Sequence, residues 1–511
     1  MKSATSLRYG AAMVPLDPVP RPIDHVLRGP ADAPALIDRA GTMTVGEAEA
    51  AVGAIAAWLA GRGLVPGARI ATWLPKTRAA CLLPLAAARA GLVHVPVNPL
   101  LRRAQAAHIL GHSGASLLVT QDARAATLVA GDVPAGCTVV GEEELPLGGD
   151  GLPRSAADPG TLAAILYTSG STGLPKGVML SHANLWLGAV SVAHYLRLAP
   201  DDRVLGVLPL SFDYGQNQLF STWYAGAAVA PLDYLTPRDV VRAVDRVGAT
   251  TLAGVPPLWV QLLEAEWPAA AAAQLRRLTN SGGALTPRLV RGLRGRFPAA
   301  DLYAMYGLTE AFRSTYLDPA LVEEHPDAIG RAIPFAEVMV VRPDGTRAAA
   351  GEAGELVHAG PLVAQGYWRD AERTARRFRP VPTFAAAMGR AVWSGDTVVE
   401  GLDGLLRFVG RDDEMIKSAG NRISPQEIEA AVLAGGEARE AVAVGVPDER
   451  VGQAIVIMAA GDPAAEPALR ARLRAELPSF QQPQRYEWRP DLPRNANGKI
   501  DRAALRREVT A

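Results

Sequence analysis

Between Tyr167 and Gly177 the chain reads Tyr167-Thr168-Ser169-Gly170-Ser171-Thr172-Gly173-Leu174-Pro175-Lys176-Gly177. Four short hydroxyl side chains, three glycines and one lysine in a single loop supply rotatable donors, closely spaced backbone amides and a point charge. That set suits a polyphosphate. It is not the phosphate loop in which Gly-Lys-Ser/Thr opens a helix, because Leu174-Pro175 separates Gly173 from Lys176 and the next helix is expected later, near Ser181. Gly and Ser also favour plain surface turns. The lysine and the paired hydroxyls favour an anion.

Such a loop needs rigid elements on either side. The apolar runs ARIATWL, GLVHVPVN, ASLLVTQ, LAAILYT, RVLGVLPL, GAAVAPLD and ATTLAGVP alternate with longer Ala- and Leu-rich segments. That alternation predicts repeated strand and helix units, hence an α/β body with parallel-rich sheets. The run Ala269 to Ala273 reads as a surface helix. After about residue 350 the texture changes to GELVHAGPLVAQGYW and GLLRFVG, which predict hairpins and a small barrel-like sheet. Gly410-Arg411-Asp412-Asp413-Glu414 is a glycine-led charged stretch of the kind that joins bodies. Beyond it Ser424-Pro425-Gln426-Glu427 reads as a helix start, with Ser at the N-cap and Pro at the first helical position. The expected division is a large N-terminal body over 1–409, a hinge over 410–414 and a small mobile α+β domain over 415–511.

Composition limits what this architecture can be for. In 511 residues, 49% are hydrophobic and 20% charged, which allows a large core and excludes compositional disorder. The 52 Lys+Arg cancel the 52 Asp+Glu, so no global field draws the chain to nucleic acid or to an anionic membrane. Two cysteines, Cys81 and Cys137, are too few for a disulfide framework or a thiolate metal site and read as buried apolar thiols. The longest apolar stretch, Ala79 to Val97, is cut by Arg89 and His94, and the first twenty residues lack a signal-peptide core. A cytoplasmic protein without an integral membrane segment is expected.

Five motifs in order then give the chain a family resemblance. They are the loop YTSGSTGLPKGV, Tyr306-Gly307-Leu308-Thr309-Glu310, Trp393-Ser394-Gly395-Asp396, Gly410-Arg411-Asp412-Asp413 and Asn497-Gly498-Lys499. Over essentially the whole chain, from about residue 20 to 510, the sequence resembles the AMP-forming adenylating superfamily. That superfamily includes acyl-CoA synthetases, peptide-synthetase adenylation domains and firefly luciferase. The resemblance implies two half-reactions: a carboxylate attacks ATP, releasing pyrophosphate and leaving an acyl-adenylate, and after a rotation of the C-terminal domain the acyl group passes to a thiol.

The resemblance also implies roles. Thr168, Ser169, Gly170, Ser171, Thr172, Gly173 and Lys176 would hold the β- and γ-phosphates. Glu310 is similar to the family's magnesium-binding glutamate and Thr309 to its phosphate-contacting threonine, hard oxygen ligands that suit Mg²⁺. Tyr306 would lie against the adenine, and Gly282, Gly283 and Ala284 would bring backbone close to the base edge. Asp396 would accept hydrogen bonds from both ribose hydroxyls, with Arg411 adding a ribose or phosphate contact. Asp413 matches the hinge position. Lys499 is similar to the catalytic lysine, a mobile cation bridging the carboxylate and the α-phosphate. Lys417, Gly420 and Arg422 would line a phosphopantetheine tunnel in the second half-reaction.

The acyl pocket is expected from Phe212, Asp213, Tyr214, Asn217, Gly254, Ser281, Met305, Arg313 and Ser314. Many acyl-CoA synthetases carry a histidine where this chain has Phe212, and Ser211-Phe212-Asp213 is closer to the peptide-synthetase pattern, in which the aspartate pairs with a substrate α-ammonium. A buried carboxylate needs such a partner or strong hydrogen bonds. Asp213 could equally cap a local turn. Arg313 could pair with an anionic substrate tail or point to solvent, the commoner fate of an arginine.

The expected activity is therefore that of an acid–thiol ligase using ATP and Mg²⁺ on a small carboxylic acid, with coenzyme A or a separate phosphopantetheinyl carrier protein as acceptor. Its alternative is a stand-alone amino-acid adenylating enzyme that loads a separate carrier. SFDYGQNQ and IKSAGNRISPQEIE also resemble the stand-alone ligases found with bacterial exosortase systems. From other classes, an ATP-hydrolysing phosphate-loop protein is opposed by the missing Gly-Lys-Ser/Thr, and a nucleotide-binding regulator without chemistry is opposed by Lys499 and Glu310.

Overall fold

The computed structural model describes residues 14–168, 175–283, 285–411, 416–418, 421–448, 451–477, 481–496 and 498–510. All seven apolar runs singled out above contain strands: Arg69–Trp73, Val93–Pro96, Ala115–Thr120, Leu162–Thr168, Arg203–Gly206, Ala228–Pro231 and Thr251–Gly254. Their β-branched residues sit buried on both faces, the pattern of parallel strands covered by helices.

Two large sheets carry the site. In the first, Leu162–Thr168 pairs in parallel with Val93–Pro96, and the following Lys176–Ser181 returns antiparallel to it, with Thr168 opposite Lys176. This hairpin is what holds both ends of the hydroxyl-rich loop. Residues 169–174, with Ser169, Gly170, Ser171, Thr172 and Gly173, lie outside the described residues. The short strand Gly366–Tyr367 pairs with the outer side of Lys176–Ser181.

The second sheet has a parallel run in the order Ala228–Pro231, Arg203–Gly206, Thr251–Gly254, Arg277–Asn280 and Asp301–Tyr306. Phe212, Gly254, Ser281, Gly282 and Thr309 all follow or end these strands, so their carboxyl ends converge on one edge, where open α/β sheets place ligands. Antiparallel strands extend the same sheet through Thr315–Tyr316, Ala328–Ala332, Leu406–Arg411, Arg390–Glu400, Ala353–Ala359 and Glu337–Val341. There Asp396 stands opposite Arg411.

Helices fill the body around the sheets. His182–Tyr195 starts at the expected Ser181, whose hydroxyl accepts the Asn184 amide, and packs on Asp213–Tyr224. All twelve residues of Asp213–Tyr224 are buried although half of them are polar, among them Gln216, Asn217, Gln218 and Thr222. A fully buried helix is ordinarily apolar on every face. One buried ion pair ties strand starts together: Arg277 and Asp202, both without exposure, meet at 2.7 Å.

Past residue 415 the sheet Ala438–Asp448, Gly452–Gly461 and Arg485–Arg489 is sandwiched by helices. Pro425–Ala434, capped by Ser424, and Glu466–Glu476 bury Ile428, Val432, Leu469 and Leu473 on one face. Arg502–Thr510 seats Leu505 against Val442, Val444 and Val456 on the other. Asp501 caps that last helix by accepting the Ala504 amide. Ala269–Gln274 is the surface helix read from the alanine run. Asp413, Gly420 and Ala284 lie outside the described residues, as do the side chains of Arg411, Lys417 and Arg422. Backbone of Lys417 and Arg422 faces across a two-stranded ribbon, Ile416–Ser418 against Asn421–Ile423.

Of the two thiols, Cys81 is fully buried and its pKa is pushed by that burial to about 12. Cys137 is only half-buried, which corrects the expectation of two buried thiols. No helix among the described residues is long and apolar enough to cross a membrane.

Candidate active site

Lys499 reaches the converging strand ends from the C-terminal side of the molecule. A bridge between Arg494 and Ile500 closes a tight loop in which Gly498 takes φ +77°, and the Asn495 carboxamide accepts the Lys499 amide at 3.1 Å. Asn98 of the large body donates to the Ala496 carbonyl at 2.7 Å, docking this loop on the parallel sheets. The lysine ammonium then lies 4.6 Å from the centre of the Phe212 ring.

Gly282 makes room for it. At φ +81° a Cβ on Gly282 would sit 2.5 Å from Lys499 Cε, so its close approach serves the lysine. A Cβ on neighbouring Gly283 would instead meet Pro256.

On the other side of the site Lys176 Nζ meets Glu310 Oε1 at 2.7 Å and the Tyr367 hydroxyl at 2.8 Å, and that hydroxyl donates to Glu310 Oε1 at 2.6 Å. Burial by itself would raise the Glu310 pKa. The charges of Lys176 and Arg377 outweigh it and hold the group at about 2. Glu310 is thus held ionised beside Lys176, a hard oxygen donor of the kind that suits Mg²⁺. Among the described residues no cluster of three or more His, Cys, Asp or Glu offers an all-protein metal cage. Thr168 Oγ is buried and has no hydrogen-bond partner among the described residues.

The turn Thr309–Ala311 ends at Phe312, a buried residue at φ +63°. This uncommon backbone for a bulky residue turns Arg313 inward rather than to solvent. Arg313 is 2% exposed, its Nη1 lying 3.6 Å from Asp213 Oδ2 and 3.4 Å from Ser281 Oγ, with its guanidinium over the Tyr214 ring. Asp213 also accepts a hydrogen bond from Thr309 at 3.3 Å, so the threonine expected on phosphate points to the acyl side in this structure. Burial pushes the Asp213 pKa up against the pull of Arg313 and Lys499.

Other expectations divide. Tyr214, Asn217, Met305 and Arg313 line one internal cavity. Ser314 does not; its hydroxyl is spent on His358 Nδ1 at 2.9 Å. Gly254 packs under Trp259, whose ring a Cβ would strike. The Tyr306 hydroxyl donates to Asp396 Oδ2, so the expected adenine-facing and ribose-binding residues are brought together.

Tyr367, which joins Lys176 and Glu310, is a site residue that the sequence did not disclose. It lies 57 positions from Glu310, and its only local signal is an aromatic Gly366-Tyr367-Trp368 cluster. Tyr195 and Thr279 were also missed; their hydroxyls bond Met305 and Tyr214 at the cavity wall.

The family described as AMP-binding enzyme matches residues 23–368, and the AMP-binding enzyme C-terminal domain matches residues 427–499. Feruloyl-CoA synthase from an Amycolatopsis species is 33% identical over 481 residues, 91% of this chain and 94% of its own length. The L-proline–(L-prolyl-carrier protein) ligase of Pseudomonas fluorescens is 30% identical over 494 residues, 93% of this chain and 96% of its own. The crystal structure of ATP-bound MatB from Rhodopseudomonas palustris superposes with a TM-score of 0.83 at 26% identity, covering 96% of this chain and 99% of that one. The chain belongs to the AMP-binding enzyme family and is an AMP-forming acid–thiol ligase.

Proposed function

We propose that the residues gathered here divide the two half-reactions between them. The observation that carries this is the position of Lys499, delivered beside Phe212, Gly282 and Asp213 at the strand ends. A carboxylate drawn to this ammonium is aimed for in-line attack on the α-phosphorus of ATP, and the ammonium neutralises charge as pyrophosphate departs. Thr168, Lys176 and the loop after Thr168 receive the β- and γ-phosphates. Lys176 then exchanges its Glu310 partner for phosphate, while Tyr367 keeps Glu310 in place. Glu310 would hold a magnesium ion, which would supply positive charge against the developing charge of the phosphates.

Asp396, positioned by Tyr306 and opposite Arg411, holds the ribose, and Tyr306 borders the adenine. The body over 1–409, the hinge over 410–414 with Asp413, and the domain over 415–511 then move relative to one another. Lys499 withdraws, and the ribbon bearing Lys417 and Arg422, with Gly420 between its strands, admits the phosphopantetheine thiol of coenzyme A or a carrier protein. The thiol attacks the acyl carbonyl and AMP leaves. The enzyme works in the cytoplasm on a small carboxylic acid.

A second reading, an amino acid as substrate and a carrier protein as acceptor, is favoured by one observation: Asp213 is buried with its arginine partner 3.6 Å away, which leaves the carboxylate open to a closer cation. Carboxylate-dependent ATP–pyrophosphate exchange across fatty, aryl, dicarboxylic and amino acids tests both. Exchange lost in Lys499→Ala supports the assignment of the lysine, and undiminished exchange in that variant refutes it. Exchange confined to amino acids and lost in Asp213→Asn selects the second reading.

A further inference from the structure

Two histidines one helical turn apart grip the hairpin on both sides of the hydroxyl-rich loop. His108 and His112 lie on the helix Arg103–Ser113, their ring centres 5.6 Å apart and their planes inclined by 22°. His112 Nδ1 shares a 2.8 Å hydrogen bond with the hydroxyl of Tyr167, the residue before Thr168. His108 Nε2 lies 3.3 Å from the carbonyl oxygen of Pro175, the residue before Lys176, and is the donor there because a carbonyl only accepts. Residues four apart on a helix share a face, which is what lets one helix reach both sides of the hairpin.

That helix is itself anchored. Arg69, on the strand Arg69–Trp73, donates to the carbonyls of Ser113 at 3.0 Å and Gly114 at 2.8 Å, at the helix's carboxyl end. Trp368 Nε1 donates to the His112 carbonyl at 3.2 Å while the Trp368 amide donates to the Gly177 carbonyl at 2.8 Å, tying the helix to the hairpin a third time. The Tyr167 ring lies over Gly177, where a Cβ would stand 3.1 Å from its Cζ and 2.6 Å from Ile165. Packing does not call for imidazoles here, because Ala106, Ile109 and Leu110 already bury the helix and both histidines are only half-buried. Burial, then the charges of His108 and Arg369, lowers the His112 pKa, so this ring is uncharged near neutrality and acts through its hydrogen bond rather than as a cation.

We propose that His108 and His112 are positioning residues for adenylation, fixing Lys176 through Pro175 and Thr168 through Tyr167 at the separation that the β- and γ-phosphates of ATP require. This rests on the reading of Thr168 and Lys176 as phosphate-binding residues. Groups held in place before the ligand arrives spend none of its binding energy on being ordered. AMP and an acyl-adenylate carry no β- or γ-phosphate. The clasp therefore serves the first half-reaction and not the second.

The test is calorimetric titration of the full chain with magnesium ATP and, separately, with AMP. Tyr167→Phe removes one hydroxyl and His112→Phe keeps an aromatic ring; each should weaken ATP binding by about 3–10-fold, the worth of one hydrogen bond, and leave AMP within about twofold. The double variant should lose no more than either single one, since both break the same bond. His108→Phe should act in the same sense and less, its contact being longer. His112→Asn sets an amide atom where Nδ1 stands and His108→Gln where Nε2 stands, so both should regain most of the ATP affinity, whereas the exchanged amides His112→Gln and His108→Asn should not. Equal losses for ATP and AMP would reduce the histidines to fold stability and overturn the proposal, as would unchanged ATP affinity in Tyr167→Phe, which holds even if a histidine variant fails to fold. Lys176→Ala separates the two layers. If it weakens ATP and the histidine and tyrosine variants do not, only the clasp falls; if it leaves ATP binding unchanged, the phosphate-binding reading falls and the clasp falls with it.

Discussion

Lys499 occupies the space that a Cβ on Gly282 would fill, its Cε 2.5 Å and its Nζ 2.8 Å from that position. The lysine comes from the last loop of the chain and the glycine from the end of a central strand. Removing the ammonium as Lys499→Ala should lower carboxylate-dependent pyrophosphate exchange by about 10²–10³-fold, the range seen when one group stabilising transition-state charge is deleted. Thioester formation from supplied acyl-adenylate should stay within severalfold of wild type in the same assay series.

Gly282→Ala acts on the same group from the other side. The added methyl must displace the lysine, and φ +81° strains any L-residue by about 1–2 kcal/mol. Exchange should fall by about tenfold or more, with a modest loss of thermal stability. In the double variant with Lys499→Ala, Gly282→Ala should add nothing to the loss of exchange. An additive effect would mean that Gly282 serves the nucleotide instead.

The Lys176–Glu310 pair predicts a pH dependence of stability. Glu310 is held at about 2 against an ordinary 4.5, so its contribution is complete above about pH 4.5 and disappears as the pH falls toward 2. Glu310→Gln should cost on the order of 3 kcal/mol near neutrality, and that deficit should shrink between pH 4.5 and 2. Urea unfolding of both proteins across this range measures it. A deficit independent of pH would exclude the ion pair as its source.

The two buried arginine–aspartate pairs should respond differently to truncation. Arg277→Met leaves Asp202 with Arg276, at 3.3 Å, as its remaining cation and should destabilise the fold by about 3 kcal/mol. Arg313→Met breaks a pair already 3.6 Å apart, and neutral Asp213 is more accessible because burial raises its pKa. Its cost should be less than half that of Arg277→Met in denaturant unfolding, with the larger penalty falling on substrate binding.

Much of this enzyme is written locally. Strands such as Leu162–Thr168 and Thr251–Gly254, the Ser181 and Ser424 caps, and the loop that ends at Lys176 depend on neighbours in the chain, where hydrophobic period and turn chemistry operate. The five spaced motifs likewise specify the family, because each is a contiguous string. Three things depend on contacts between distant segments instead. Tyr367 meets Glu310 across 57 positions because Gly366–Tyr367 joins the edge of the sheet beside Lys176–Ser181. Arg313 enters the pocket and Ser314 leaves it because a single backbone reversal at Phe312 sets which side chain faces in. The polar helix Asp213–Tyr224 becomes an unsatisfied cavity wall once other helices and strands enclose it. Sequence by itself determined the reaction class and the residues available for it; the tertiary structure decided their partners, since burial and pairing are set by strand order and packing across the whole chain.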